Sequence, residues 1–353
     1  MSVSSSILTS EHDTTVETAL KEAVFRRWFT LAVATALTMV TACAWINWTV
    51  DPFDRIGLNK WGVYSSAETT AKPQLIRTYA HDGLIMGSSR VTYINPQEIE
   101  GYWLFNAGFS AAMPEEILSF LRLFGVDQKL VVIGLDFFMF NEREYPLRLQ
   151  TFDFVATLDS EQSRRDGETL IKDWRALRDY LISRDVLASS IRTAILRMAP
   201  GTPQPYLEPA GNRNAAKAFA RDAQAKQLEY DDTLNYWRLH TLYQFQYSLA
   251  RVEILRDIRR FLDQRPIPYL VFINPENTYL MDLIKEVGLY QVDLRFRRDV
   301  AEIFENAVDL SESHWAETKN YFRADPGHYY PKIGAKMLNE MIRARADLKA
   351  PRH

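Results

Sequence analysis

Gly83-Leu-Ile-Met-Gly-Ser-Ser-Arg90 is a short apolar run that stops at a glycine and gives way at once to two hydroxyls and a cation. A run this short, apolar at successive positions, reads as a strand covered on both faces. Other segments repeat the pattern. Tyr102-Trp-Leu-Phe105 ends at Asn106-Ala-Gly108, and Lys129-Leu-Val-Val-Ile-Gly134 precedes Asp136. Tyr269-Leu-Val-Phe-Ile273 follows Pro266 and Pro268, and Ala307-Val-Asp-Leu310 is a shorter candidate. Between them, Pro114 to Leu123 has helical spacing, with Pro in the first turn and two Glu beside it. Strands alternating with helices predict an α/β domain with a mainly parallel sheet and right-handed crossovers.

In such a sheet, working groups collect just past the carboxyl ends of the strands. Ser88 and Ser89, Asn106 and Gly108, and Asp136 fall there. A helix starting near Ser89 would aim amides at an anion, and Gly108 would let another amide approach a reacting carbonyl closely. Far downstream the chain reads Asp325-Pro-Gly-His328-Tyr-Tyr-Pro331-Lys-Ile-Gly334, ahead of an amphipathic helix. Asp325 and His328 are three apart, a spacing that shares one face of a helical turn. Nucleophile, base and orienting carboxylate are the minimum set for serine acyl chemistry: one of the pair Ser88 and Ser89, with His328 and Asp325. Ser88 also reads as a cap or backbone support. Arg90 reads either as a clamp for an acidic substrate or as a solvated cation. Asn274 reads as site lining or a plain turn, and Tyr329, Tyr330 and Trp315 as core or as platforms for sugar rings.

The 353 residues are ample for a sizeable core. A net charge of -3 and no long basic run give no footprint for nucleic acid. One cysteine, Cys43, excludes an internal disulfide framework and a cysteine-rich zinc site. No Gly-rich phosphate loop or metal cluster stands out, so no cofactor is expected. His81, His240 and His314 have no partners at ligand spacing.

Trp28 to Val50 holds no charged residue. As a helix it would span about 34 Å, enough for a hydrocarbon core of about 30 Å. Arg26 and Arg27 precede it, and Trp45 and Trp48 lie where an aromatic belt is expected. The expected arrangement is a single-pass anchor with the N-terminus in the cytoplasm and the large C-terminal part outside. Val40-Thr41-Ala42-Cys43 also resembles a bacterial lipobox, which leaves a lipoprotein anchored through Cys43 as the alternative.

The domain plan that follows is a disordered tail over 1–23, an anchor over 24–50, a lead-in with a short helix over 51–80, and one α/β domain over 81–349. Between about 143 and 265 the strand signal fades into charged, aromatic helical sequence. That stretch reads as a helical insertion, either a cap over the site or ordinary helices packed on the sheet.

Apolar-Gly-Ser-Ser-Arg resembles the first block of the SGNH (GDSL-like) hydrolase superfamily, with Ser89 in the nucleophile position. Asn106-Ala-Gly108 resembles the second block, whose glycine amide serves the oxyanion. Asp325-x-x-His328, with Gly334 six residues on, resembles the last block, where His is the base and Asp orients it. The resemblance covers roughly 82–142 and 268–345 and implies a flavodoxin-like three-layer α/β/α fold. The third block departs from the pattern: Asp136 stands where an asparagine normally donates to the oxyanion, so either Asn141 or another donor substitutes or the hole is weaker. With the anchor, the chain is most similar to the envelope branch, which includes alginate O-acetylation proteins and the D-alanyl transfer protein of teichoic acid synthesis. The resemblance implies an esterase or O-acyltransferase at the bacterial inner membrane, facing the periplasm or exterior. Its expected partner is an envelope polysaccharide or other acylated polymer, with a membrane-bound acyltransferase as a further candidate. The rival expectation is a catalytically weak scaffold that binds one of those partners.

Overall fold

The computed structural model describes residues 5–53, 56, 68–144, 174–198, 206–225 and 229–348. The segments 145–173 and 199–205 of the expected insertion lie outside the described residues. So does most of the lead-in from 54 to 67, of which the helix α2 (Glu68–Thr78) is seen.

Five strands form one parallel sheet: β1 (Gly83–Gly87), β2 (Leu104–Asn106), β3 (Leu130–Leu135), β4 (Tyr269–Ile273) and β5 (Val308–Asp309). The spatial order is β2-β1-β3-β4-β5, a common doubly wound arrangement whose order reverses between β1 and β3. Side chains alternate across the sheet. Leu84, Met86, Val131, Ile133 and Val271 enter one core, and Ile85, Val132, Leu270 and Phe272 enter the other. The first core is closed by α3 (Pro114–Phe124), α8 (Leu249–Asp263), α9 (Thr278–Glu286) and α10 (Tyr290–Ile303). The second is closed by α11 (Pro331–Ala344), through Met337, Leu338 and Met341. Every residue of β1 and β3 is buried, which is why their sequences are apolar without alternation.

Gly87 sits at φ +143°, and a Cβ there would stand 2.5 Å from the Gly134 carbonyl oxygen on β3. Glycine therefore lets the two strands end side by side at the switch point.

α1 (Ser5–Val50) is one continuous helix. Within its stretch Lys21–Val50, an 18-residue window has a mean hydropathy of 1.8, and none of that window is buried. This helix is long and apolar enough to cross a membrane. It starts well before the expected boundary at 24, in place of a disordered tail over 5–23. The reason is local: Ala19-Leu-Lys-Glu-Ala23 are strong helix formers, and extending an existing helix is far cheaper than nucleating one. Cys43 lies inside this helix, its Sγ 3.6 Å from the Leu181 carbonyl oxygen.

The described part of the expected insertion divides into three. α4 (Trp174–Ile182) and α5 (Arg184–Met198) pack on the end of α1. α6 (Ala216–Gln224) and α7 (Asp231–Tyr236) stand behind a two-stranded antiparallel ribbon made by β6 (Tyr321–Phe322) and β7 (Asp325–Tyr329). α8 is an ordinary crossover helix leading into β4.

Candidate active site

The carboxyl ends of β1, β3 and β4 meet the β6–β7 ribbon. His328 Nε2 lies 2.9 Å from Ser89 Oγ, and His328 Nδ1 lies 2.8 Å from Asp325 Oδ2. With Nδ1–H donating to the carboxylate, Nε2 is the acceptor for the serine hydroxyl. Burial pushes the Asp325 carboxyl up, but the His328 imidazole and the Gly327 amide outweigh it and hold the group below its ordinary range. The Tyr93 ring stands edge-on to the imidazole, with centroids 5.7 Å apart.

The local structure differs from the expected helical turn. Asp325 and His328 lie on β7, where residues three apart would ordinarily face opposite ways. Pro326-Gly327 folds the strand back, and the Gly327 amide donates to Asp325 Oδ1 at 2.9 Å. This side-chain-closed turn brings the two functional groups together. Nor does an α-helix start behind Ser89: two short 3-10 turns, Val91–Tyr93 and Pro96–Glu98, follow it. Ser88 is fully buried, and its Oγ accepts from the Arg90 amide at 3.2 Å, so it supports the backbone.

Four expected site residues are committed elsewhere. Arg90 is 2% exposed and holds Glu276 through two bonds, Nη1–Oε2 at 3.0 Å and Nη2–Oε1 at 2.6 Å. Its Nε lies 3.3 Å from Asp136 Oδ1, and the guanidinium stacks near Phe138 and Trp237. It is an internal cation, not a substrate clamp. Asn274 is buried; its Oδ1 accepts from Tyr329 Oη at 3.1 Å and its backbone N–H donates to Leu135 O at 2.9 Å. Asn274 therefore joins β4 to β3 and to the ribbon instead of lining a substrate site. Asn141 Nδ2 donates to Thr241 O at 3.0 Å, while its Oδ1 accepts from the Arg143 and Gln246 amides. It fixes the segment entering α8 and does not serve an oxyanion. The Gly108 amide donates to Asn106 Oδ1 at 3.1 Å, closing the Asn106-Ala-Gly108 turn. The Ser89 amide meets no acceptor among the described residues.

Asp136 is also buried, and burial pushes its carboxyl up to about 6 against the pull of Arg90. A native value above the ordinary 3.8 means that the folded state holds more protons between pH 4 and 6. Stability contributed by this group is thus fully present below pH 4 and is lost as pH rises through 6, by at most about 3 kcal/mol. Asp136→Asn removes that titration. Urea unfolding at pH 4 and pH 7 is expected to show the variant gaining on wild type at the higher pH; a constant difference would refute the assignment.

Sequence reasoning missed a second charged group under the Asn106–Ser110 loop. Lys72 from α2 is fully buried and donates to the Gly108 carbonyl. Burial lowers its amine to about 7, with Glu68 opposing. Glu68 accepts from the Ser110 amide at 2.8 Å and pairs with Arg213 Nε at 2.5 Å. Nothing in the local sequence marks Lys72, because its partner Gly108 is 36 positions away and Glu68 lies four back along an exposed-looking helix turn. Glu276 was legible in part: it stands just past the end of β4 as Asp136 stands just past β3.

A cavity of about 340 Å³ lies beyond Tyr93, lined among others by Asn95, Asn212, Asn214, Glu208 and Phe219. The buried Asn212 Oδ1 has no hydrogen-bond partner among the described residues. No protein-family model matches the chain, and no curated protein matches it in sequence.

Proposed function

We propose that the chain is a membrane-anchored serine esterase or O-acyltransferase of the SGNH type, acting on acyl esters of a cell-envelope or exported polysaccharide. The observation that carries the reading is the unbroken chain from Ser89 Oγ through His328 to Asp325 at the strand-order switch point. Ser89 attacks the ester carbonyl, and His328 takes its proton and returns it to the leaving alcohol. Asp325 orients the imidazole, and the Ser89 amide stabilises the oxyanion. Water then completes hydrolysis, or a sugar hydroxyl completes transfer. The amide- and carboxylate-lined cavity behind Tyr93 supports a polyhydroxylated substrate, since these groups suit hydroxyl donors and acceptors. The apolar α1, with Arg26 and Arg27 at its entry, supports a cytoplasmic N-terminus and an extracytoplasmic catalytic domain.

A second reading has its own observation in favour. The Gly108 amide is taken by Asn106, and Asn141 is held elsewhere. Loss of one oxyanion donor costs on the order of 10²–10³ in rate. A domain this short of donors suits a scaffold that binds the polymer or a membrane-bound acyltransferase. A serine-directed fluorophosphonate separates the two. Stoichiometric labelling of the full chain in detergent, mapped to Ser89, is expected for the enzyme, and an unlabelled Ser89 would favour the scaffold.

A further inference from the structure

We infer that α5 lies in the membrane interface, with its outer apolar stripe in the lipid of the leaflet at the C-terminal end of α1. The inference rests on the proposal that α1 crosses a bilayer.

The tie between the two helices is polar and specific. Asn47 is fully buried, and its Nδ2 donates to Leu181 O at 2.8 Å and Ser183 O at 3.2 Å. Ser190 Oγ donates to Asn47 Oδ1 at 2.9 Å. Just past the helix, Tyr180 Oη donates to Asp51 Oδ1 at 2.8 Å. The α4–α5 corner is thereby fixed to the last two turns of α1. Those turns carry Trp45 and Trp48, both exposed, where an aromatic belt meets the headgroups.

The level of α5 follows from what it covers. Along α1, residues 21–42 are all exposed, and cover begins only at Cys43. α4 and α5 share the last two turns of α1, so the corner from which α5 starts stands at the level of the aromatic belt.

The faces of α5 agree. Val186, Ser190 and Thr193 are buried, Val186 with Phe53 and Tyr180 and Ser190 on Asn47. Ile191, Ile195 and Met198 are 48%, 59% and 74% exposed. At 3.6 residues per turn they form one stripe, roughly opposite the buried set. Arg192 and Asp185 lie to the side, and the exposed Arg184 closes the stripe at its N-terminal end. An apolar stripe flanked by charge, anchored at the interface by a neighbouring span, is the arrangement of an interfacial helix.

The test is a nitroxide scan of the full chain in vesicles of phosphatidylethanolamine and phosphatidylglycerol. In a Cys43→Ser background, single labels go at Leu37, Asp185, Ile191 and Ile195. Collision with oxygen, relative to a water-soluble nickel chelate, is expected to be several-fold higher at Ile191 and Ile195 than at Asp185. Equal values at the three α5 positions, all favouring nickel, would overturn the inference; a protein partner for the stripe would give this result in lipid alone. Leu37 is the control for the premise: if it also favours nickel, the membrane span itself fails.

Discussion

Ser89→Ala and His328→Ala are each expected to lower hydrolysis of a small acetyl ester by about 10³-fold or more, and the double variant to fall no further. The expectation comes from the geometry of a unit. Ser89 Oγ is a poor nucleophile unless a base takes its proton in the transition state, and His328 Nε2, 2.9 Å away, is the group placed to do so. Removing either partner abolishes the same step, so the losses do not add. Asp325→Asn should cost less than either but still a large factor. The amide would offer Nδ1 the wrong hydrogen-bonding group and favour the wrong tautomer. The residual rate should remain above that of water, since the Ser89 backbone amide survives in every variant. Initial rates on 4-nitrophenyl acetate, with the full chain in detergent, give the four numbers. A Ser89→Ala protein as active as wild type would remove the nucleophile assignment; multiplicative losses in the double variant would mean that Ser89 and His328 do not act together.

The parts of this site that the sequence exposed are those built from local signals. β1, β3 and β4 are uninterrupted apolar runs that end at Gly87, just before Asp136 and just before Asn274, so their ends, and hence Ser89, could be placed from the sequence. Asp325 and His328 could be paired by spacing, although the spacing was read through the wrong geometry. Pro326 and Gly327 argue for a turn, but the strand partner, Tyr321–Phe322, is only two residues long and carries no pattern. What stayed hidden depends on distant partners. Arg90 looks like a surface cation until Asp136 and Glu276 arrive from two other strand ends, 46 and 186 positions away. Asn47 sits in an apolar helix with no reason for being there until residues 181–190 fold onto it. In both cases a polar group is tolerated in a buried place because a remote one satisfies it, and no local window holds both.

Arg90 therefore carries the second large prediction. Arg90→Leu is expected to destabilise the domain by about 3–5 kcal/mol, because it leaves Glu276 buried without a countercharge. Asp136 softens the loss only in part. With its carboxyl already near 6, it can take up a proton when the cation goes. Glu276 loses two charge-assisted bonds at once. Arg90→Lys should recover little: an ammonium keeps the charge but cannot supply the fork that reaches both carboxylate oxygens while facing Asp136. The informative variant is Arg90→Leu with Glu276→Leu and Asp136→Asn. Replacing a buried charge cluster by neutral side chains is often neutral or better for stability, so the triple variant should regain most of the loss in urea unfolding. Activity should not return with it. Arg90 follows Ser89 directly in the chain and fixes the turn through Pro275 and Glu276. A triple variant that folds stably yet hydrolyses ester poorly would mark the cluster as a positioning device for the nucleophile. Recovery of both stability and rate would instead reduce it to a stability element, and no recovery of either would mean that the charges themselves are not what holds the β1 end in place.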